Sequence, residues 1–141
     1  MVIAVDFDGT IVEHCYPRIG KEIPFAIATL RLLQAERHLL ILWSVREGKL
    51  LEEAVEFCRD RGLEFYAVNS NVPKEEEDNS ISSHCRKVNA DIYIDDRNVG
   101  GLHDWGVIYE MIHNKWSYER YLQEVHGEKE QKTSFLKRIF G

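Results

Sequence analysis

Short unbroken apolar runs alternate along the chain with stretches in which apolar residues recur every three or four positions. Runs of four to six apolar residues suit strands buried on both faces, and the three-to-four spacing suits helices with one face turned inward. Residues 2–7 form the first predicted strand. Pro24 stands where a helix can open, and Ile23, Ile27, Leu30 and Leu33 follow at helical spacing up to Arg37. Residues 39–43 predict a second strand. Leu51, Ala54, Val55 and Cys58 then line one helical face, with Glu52, Glu53, Glu56 and Arg59 on the other and Gly62 as the stop. A third strand is expected over 64–68 and a fourth over 91–95. Between them, 69–83 is polar, carries Pro73, and reads as a loop in which the acids of 75–78 form a solvated face. After Gly100-Gly101 one helix is expected from Trp105 through Ile108, Met111, Ile112, Tyr118, Tyr121, Leu122 and Val125, ending at Gly127. Residues 128–141 then read as a charged, weakly amphipathic tail, and 1–127 as the folded domain.

Strands that alternate with helices predict an α/β domain, Rossmann-like and three-layered, with a mainly parallel sheet of about four strands. The 141 residues hold one such domain and not two. If the first and last strands are neighbours, their C-terminal ends open on one crevice, where open α/β sheets bind ligands.

Composition narrows the classes. With 44% hydrophobic and 30% charged residues the chain is of globular type, and no apolar run reaches the ~18 residues of a membrane helix. The opening MVIAVDF lacks a basic leader and a cleavage site, so it reads as a strand. Cys15, Cys58 and Cys85 are an odd number without C-x-x-C spacing, which fits a reducing, cytoplasmic setting. His14-Cys15 and His84-Cys85 lack zinc-type spacing, so zinc is not expected. Eighteen basic residues against 24 acidic ones, a net charge of −6, argue against a broad nucleic-acid surface. A phosphorylated substrate remains compatible, because a metal ion and a few local cations reverse the field inside a cleft.

Four signals fall at or near strand ends. The first is Asp6-Phe7-Asp8-Gly9-Thr10, in which residues two apart on an extended chain project to the same side and Gly9 permits a sharp turn. One carboxylate of such a pair suits a nucleophile and the other a proton shuttle, with Gly9 and Thr10 beside the phosphate. The second is Ser44 with Arg46, a hydroxyl donor and a planar fork for an anion; the alternative is a helix cap and an ion pair. The third is Asp95-Asp96. With Asp6 and Asp8 on a neighbouring strand these would gather four carboxylates, a set that calls for a hard cation such as Mg²⁺. The fourth is Lys87, an ammonium able to offset those acids, with Lys74 as its rival.

These four ordered motifs resemble those of the haloacid dehalogenase superfamily of phosphohydrolases, over Val2 to about Ile112. The resemblance implies that Asp6 forms an aspartyl-phosphate and that Asp8 is the general acid and base, also lending a backbone carbonyl to the metal. It further implies that Ser44 binds the phosphoryl group, Lys87 orients it, and Asp95 ligates Mg²⁺ with Asp96 assisting. The Ser-x-Arg piece is similar to the phosphatase part of polynucleotide kinases, which keeps a phosphorylated nucleic-acid end among the substrates. The cap domain usual in that superfamily is missing from both expected places, which implies an open site and a bulky phosphate carrier. The loop 13–21, with His14, Tyr16, Pro17 and Arg18, is long enough to lean over such a site. Asn98 suits either a metal-bound water or a surface turn. Phe135, Leu136, Ile139 and Phe140 in the tail suit contact with a second copy, so a homo-oligomer is one expectation. Two other readings stay open: a phosphate- or nucleotide-binding module without turnover, and a receiver domain, which wants its phosphoacceptor where this chain has Val68-Asn69-Ser70.

Overall fold

Four strands, β1 (Val2–Val5), β2 (Leu39–Leu42), β3 (Ala67–Val68) and β4 (Ile92–Ile94), form one parallel sheet in the order β3-β2-β1-β4. They belong to a computed structural model that describes residues 1–76 and 86–140, without the side chains of 128–132. His84, Cys85 and the acids Glu77 and Asp78 lie outside the described residues.

The two central strands, β1 and β2, are apolar runs buried on both faces over their last three residues, and β3 and β4 are shorter and partly buried. Ala4 and Ile41 pack with Ala67 and Val88 on one face, while Ile3, Val5, Leu40 and Leu42 are also fully buried. Two helices, α1 (Ala26–Ala35) and α2 (Gly48–Arg59), connect β1 to β2 and β2 to β3. A 3-10 turn spans Lys74–Glu76, and α3 (Trp105–Asn114) and α4 (Tyr118–Phe140) follow β4. This is the α/β, Rossmann-like architecture that the alternation predicts. The chain divides into two compact units, Met1–Trp105, which holds the sheet, and a second from Gly106 onward.

From β1 the chain steps outward to β2 and β3, then crosses to pair β4 on the opposite side of β1. The order therefore reverses between β1 and β4, which creates a crevice at their C-terminal ends. Val5 is in register with Ile94, and the Asp6 N–H donates to the Ile94 carbonyl at 3.0 Å, so Asp6 and Asp95 emerge side by side.

Several element boundaries differ from expectation. Pro24 does not open α1: Phe25 adopts a left-handed conformation (φ 67°), and the Glu22 carboxylate accepts from the first-turn Ile27 N–H at 3.2 Å. The third strand shrinks to two residues. The single helix expected from Trp105 is two, because Lys115 turns left-handed (φ 56°) and the Ser117 hydroxyl accepts from the Arg120 N–H at 3.1 Å as a new N-cap. Nor does Gly127 end the second helix. α4 runs through it to Phe140 and absorbs a cost of about 1 kcal/mol for an interior glycine. Between β1 and α1 there is no inserted domain, only turns and the isolated bridges of Val12 with Asp8 and Glu22.

Candidate active site

The loop after β1 is built around one carbonyl. The N–H groups of Thr10, Ile11 and Val12 all point to the Phe7 oxygen, and Gly9 donates back to Val12 at 2.7 Å. Gly9 is left-handed (φ 84°), and a Cβ there would stand 2.3 Å from Asp96 Oδ2. Glycine is needed twice over, for the turn and for the approach of an acid from β4.

That turn brings Asp6, Asp95 and Asp96 together, each offering an oxygen within 4.8 Å of the others. Thr10 fastens them. Its hydroxyl faces Asp6 Oδ2 at 3.1 Å and Asp96 Oδ1 at 3.3 Å as donor, and accepts from the Asp96 N–H at 3.0 Å. Burial, the Asp95 charge and a hydrogen bond with Asp96 push the Asp6 carboxyl up to about 7, against weaker pulls downward from the Phe7 N–H and Thr10. Three hard oxygen donors around uncompensated negative charge fit a cation such as Mg²⁺ or Ca²⁺.

A pH dependence follows. The folded chain binds the Asp6 proton more tightly than the unfolded chain does. Its stabilising share is therefore complete below about pH 4 and is lost as pH rises through about 7. Discounted for partial exposure, that loss is on the order of 2 kcal/mol. Urea titrations of metal-free wild type and Asp6→Asn at pH 4.5 and 7.5 check it: the wild type should lose stability relative to the variant at the higher pH. An equal gap at both pH values would contradict it.

Asp8 departs from the expected pattern. Its oxygens accept from Arg46 Nε and Nη2, both at 2.7 Å, in a two-pronged pair, and its carboxylate is not part of the three-acid group. β1 ends at Val5, so the extended-chain alternation that would align Asp8 with Asp6 has already been broken by the turn. Arg46 is correspondingly no anion grip. It is fully buried, donates also to the carbonyls of Pro17 (3.1 Å) and Arg18 (3.0 Å), and lies 5.2 Å from the ring centres of both Phe7 and Tyr16. The Asp8 hydrogen bonds raise its pKa, burial opposing them. One guanidinium thus ties the loop after β1, the loop 13–21 and the entry to α2.

A cavity of about 560 Å³ opens on this group, lined by Asp6, Asp8, Ser44 and Asp95 and walled by His14, Tyr16, Trp43, Val45 and Arg97. Loop 13–21 does lean over the site, contributing His14 and Tyr16. Ser44 faces the cavity but caps nothing; its oxygen accepts from the Arg46 N–H at 3.1 Å, and α2 begins at Gly48. Gly9 and the fully buried Thr10 shape the acid group and do not line the cavity. Lys87 is not brought in either. Its ammonium lies 4.9 Å above the Tyr93 ring, and among the described residues no lysine, Lys74 included, lines the cavity. Asn98 sits in a surface turn, its carbonyl accepting from Gly101.

Two functional placements escape sequence reasoning. Asn69, left-handed after β3 (φ 51°), accepts from the Ser44 N–H at 2.8 Å and donates to the Ser44 carbonyl at 2.9 Å, which fixes that residue from both sides. An asparagine at a strand end signals a turn but not its distant partner. Trp105 donates its indole N–H to the Thr10 carbonyl at 3.1 Å and anchors the loop after β1. Cys15 is an exposed free thiol and Cys58 a buried one that burial pushes up to about 12. Among the described residues, no helix is long and apolar enough to cross a membrane.

No protein-family model matches the chain, and no curated protein matches it. Among solved structures, the conserved protein coded by a locus of Bacteroides thetaiotaomicron is similar to it, with a TM-score of 0.78 and 65% identity over 84% of this chain and 94% of that one. At that identity across nearly the whole of its relative, the chain belongs to the same family as this conserved Bacteroides thetaiotaomicron protein.

Proposed function

We propose that the chain is a magnesium-dependent phosphomonoesterase of the haloacid dehalogenase type, working through an aspartyl-phosphate on Asp6 in a reducing, cytoplasmic setting. The observation that carries this reading is the position of Asp6: at the switch-point crevice, beside Asp95 and Asp96, and facing a cavity it shares with Ser44 and Asp8. An Asp6 oxygen attacks phosphorus in line as the ester P–O bond breaks, and Asp8 gives the departing oxygen its proton. Water then attacks the phosphorus of the aspartyl-phosphate, Asp8 takes its proton, and Asp6 is regenerated. Asp8 can donate only once one of its oxygens is released from Arg46 and has taken a proton from solvent, so in this reading the pair opens before the ester bond breaks. Ser44, clamped by Asn69, presents its O–H to the phosphoryl group. Mg²⁺ held by Asp6, Asp95 and Asp96 would supply the compensation for phosphoryl charge that, among the described residues, no lysine provides in the cavity.

The test is phosphate release from a panel of monoesters with Mg²⁺. Release that EDTA abolishes and added Mg²⁺ restores is the expected outcome; release indifferent to chelation would remove the metal. Lys87 on Tyr93 and Asp8 locked to Arg46 favour a second reading, a phosphate-binding module without useful turnover. Binding of beryllofluoride with Mg²⁺, without hydrolysis of any ester, selects it.

A further inference from the structure

The walls of the cavity carry chemistry that phosphate cleavage does not use. Tyr16, from loop 13–21, and Trp43, just past β2, both line it. Each ring is braced by a fixed partner: the Arg46 guanidinium lies 5.2 Å from the Tyr16 ring centre, and the Tyr93 ring 5.4 Å from that of Trp43. Arg46 is itself buried and bound to Asp8, so Tyr16 is held by the same residue that holds the proposed proton donor. Tyr16 nevertheless keeps 48% of its surface exposed. Rings already packed against such partners have less freedom to lose when a ligand stacks on them.

A phosphate group occupies a small part of about 560 Å³, a volume within the range of small-molecule pockets. The rest must receive the alcohol that carries the phosphate. Apart from the acids, the side chains with polar groups lining the cavity among the described residues are Ser44, His14, Arg97, the Tyr16 phenol and the Trp43 indole N–H. A sugar's hydroxyls need donors and acceptors, which these groups and the acids can supply but the faces of the aromatic walls do not. A flat unsaturated ring needs few, and it gains dispersion and quadrupole contact with aromatic walls. Arg97, exposed at the rim, offers donors to the carbonyl or nitrogen edge of such a ring.

We infer that the substrate is a phosphate monoester whose alcohol carries a planar heteroaromatic base, a nucleoside monophosphate, with the base stacked on the Tyr16 and Trp43 walls. The inference rests on the phosphomonoesterase reading for its chemistry and on the cavity walls for its specificity.

Phosphate release with Mg²⁺ is measured for adenosine 5′-monophosphate and for ribose 5-phosphate, which differ by the base alone, in wild type, Tyr16→Ala, Tyr16→Phe and Trp43→Leu. Expected is a kcat/KM ratio favouring the nucleotide by about tenfold or more. That ratio should fall toward one in Tyr16→Ala and Trp43→Leu and persist in Tyr16→Phe, which keeps the ring. A wild-type ratio at or below one, or a preference untouched by losing either ring, overturns the substrate assignment and leaves the phosphomonoesterase standing. If neither ester releases phosphate while other monoesters of the panel do, the substrate assignment falls; if no monoester of the panel does, it is the catalytic reading that falls. Equilibrium dialysis of adenosine 5′-monophosphate then decides the ring site: retention by wild type and loss in Trp43→Leu support it, and no retention by wild type overturns it.

Discussion

Asp6→Asn is expected to cut phosphate release by about 10³-fold or more and, in the same molecule, to stabilise the metal-free chain at pH 8. The two effects share one cause. Asp6 is a nucleophile only as a carboxylate, yet in that form it is partly buried and faces the Asp95 charge, and these, with the Asp96 hydrogen bond, push its carboxyl up to about 7. An amide removes the nucleophile and the repulsion together, and it still accepts from Thr10. Single-turnover phosphate release and thermal melts in EDTA measure the two arms. Retained turnover would remove the nucleophile assignment, and a destabilised variant would mean that the acids are not in conflict. Asp8→Asn, only two residues away, should shift stability in the opposite direction, because it removes half of a charge-assisted pair from a buried guanidinium.

Arg46→Met is the second large effect. Arg46 is fully buried, Asp8 is nearly so, and the carbonyls of Pro17 and Arg18 depend on the same guanidinium. Removing one partner of a buried pair leaves an uncompensated charge, and the expected loss is about 3–5 kcal/mol. Arg46→Lys should recover only part of it, since an ammonium cannot span both Asp8 oxygens in a fork. Urea denaturation checks the magnitude. In the double variant Asp8→Asn with Arg46→Met, the second change should cost much less than it does alone, because the two residues act as one unit. A residue gripping a substrate anion would behave otherwise, raising KM with stability nearly intact. That result would return Arg46 to the role its sequence position suggested.

The misassignment of Arg46 shows where sequence reasoning stops. Ser44-Val45-Arg46 at a strand end is a sound anion signal, and Ser44 does reach the cavity. Arg46 has a long side chain with many rotamers, and its destination depends on which buried acid lies within reach; here that is Asp8, 38 positions away. Lys87 fails similarly, drawn to the face of Tyr93. The split between α3 and α4 was legible in principle, since Ser117 is a good N-cap type, but the continuing apolar spacing masked it.

Local features were legible in the chain alone: apolar runs that suit buried strands, amphipathic spacing for the helices, and a glycine at the one turn where acids pack against backbone. These follow from period and sterics within a few residues. The tertiary structure alone decided that β4 lies beside β1, so that Asp95 and Asp96 meet Asp6, and that Asp8 is withdrawn into a pair with Arg46 while Asn69 secures Ser44. Strand order and side-chain partnership are set through space, by which buried groups find each other's charge and hydrogen bonds, and no spacing along the chain encodes that distance.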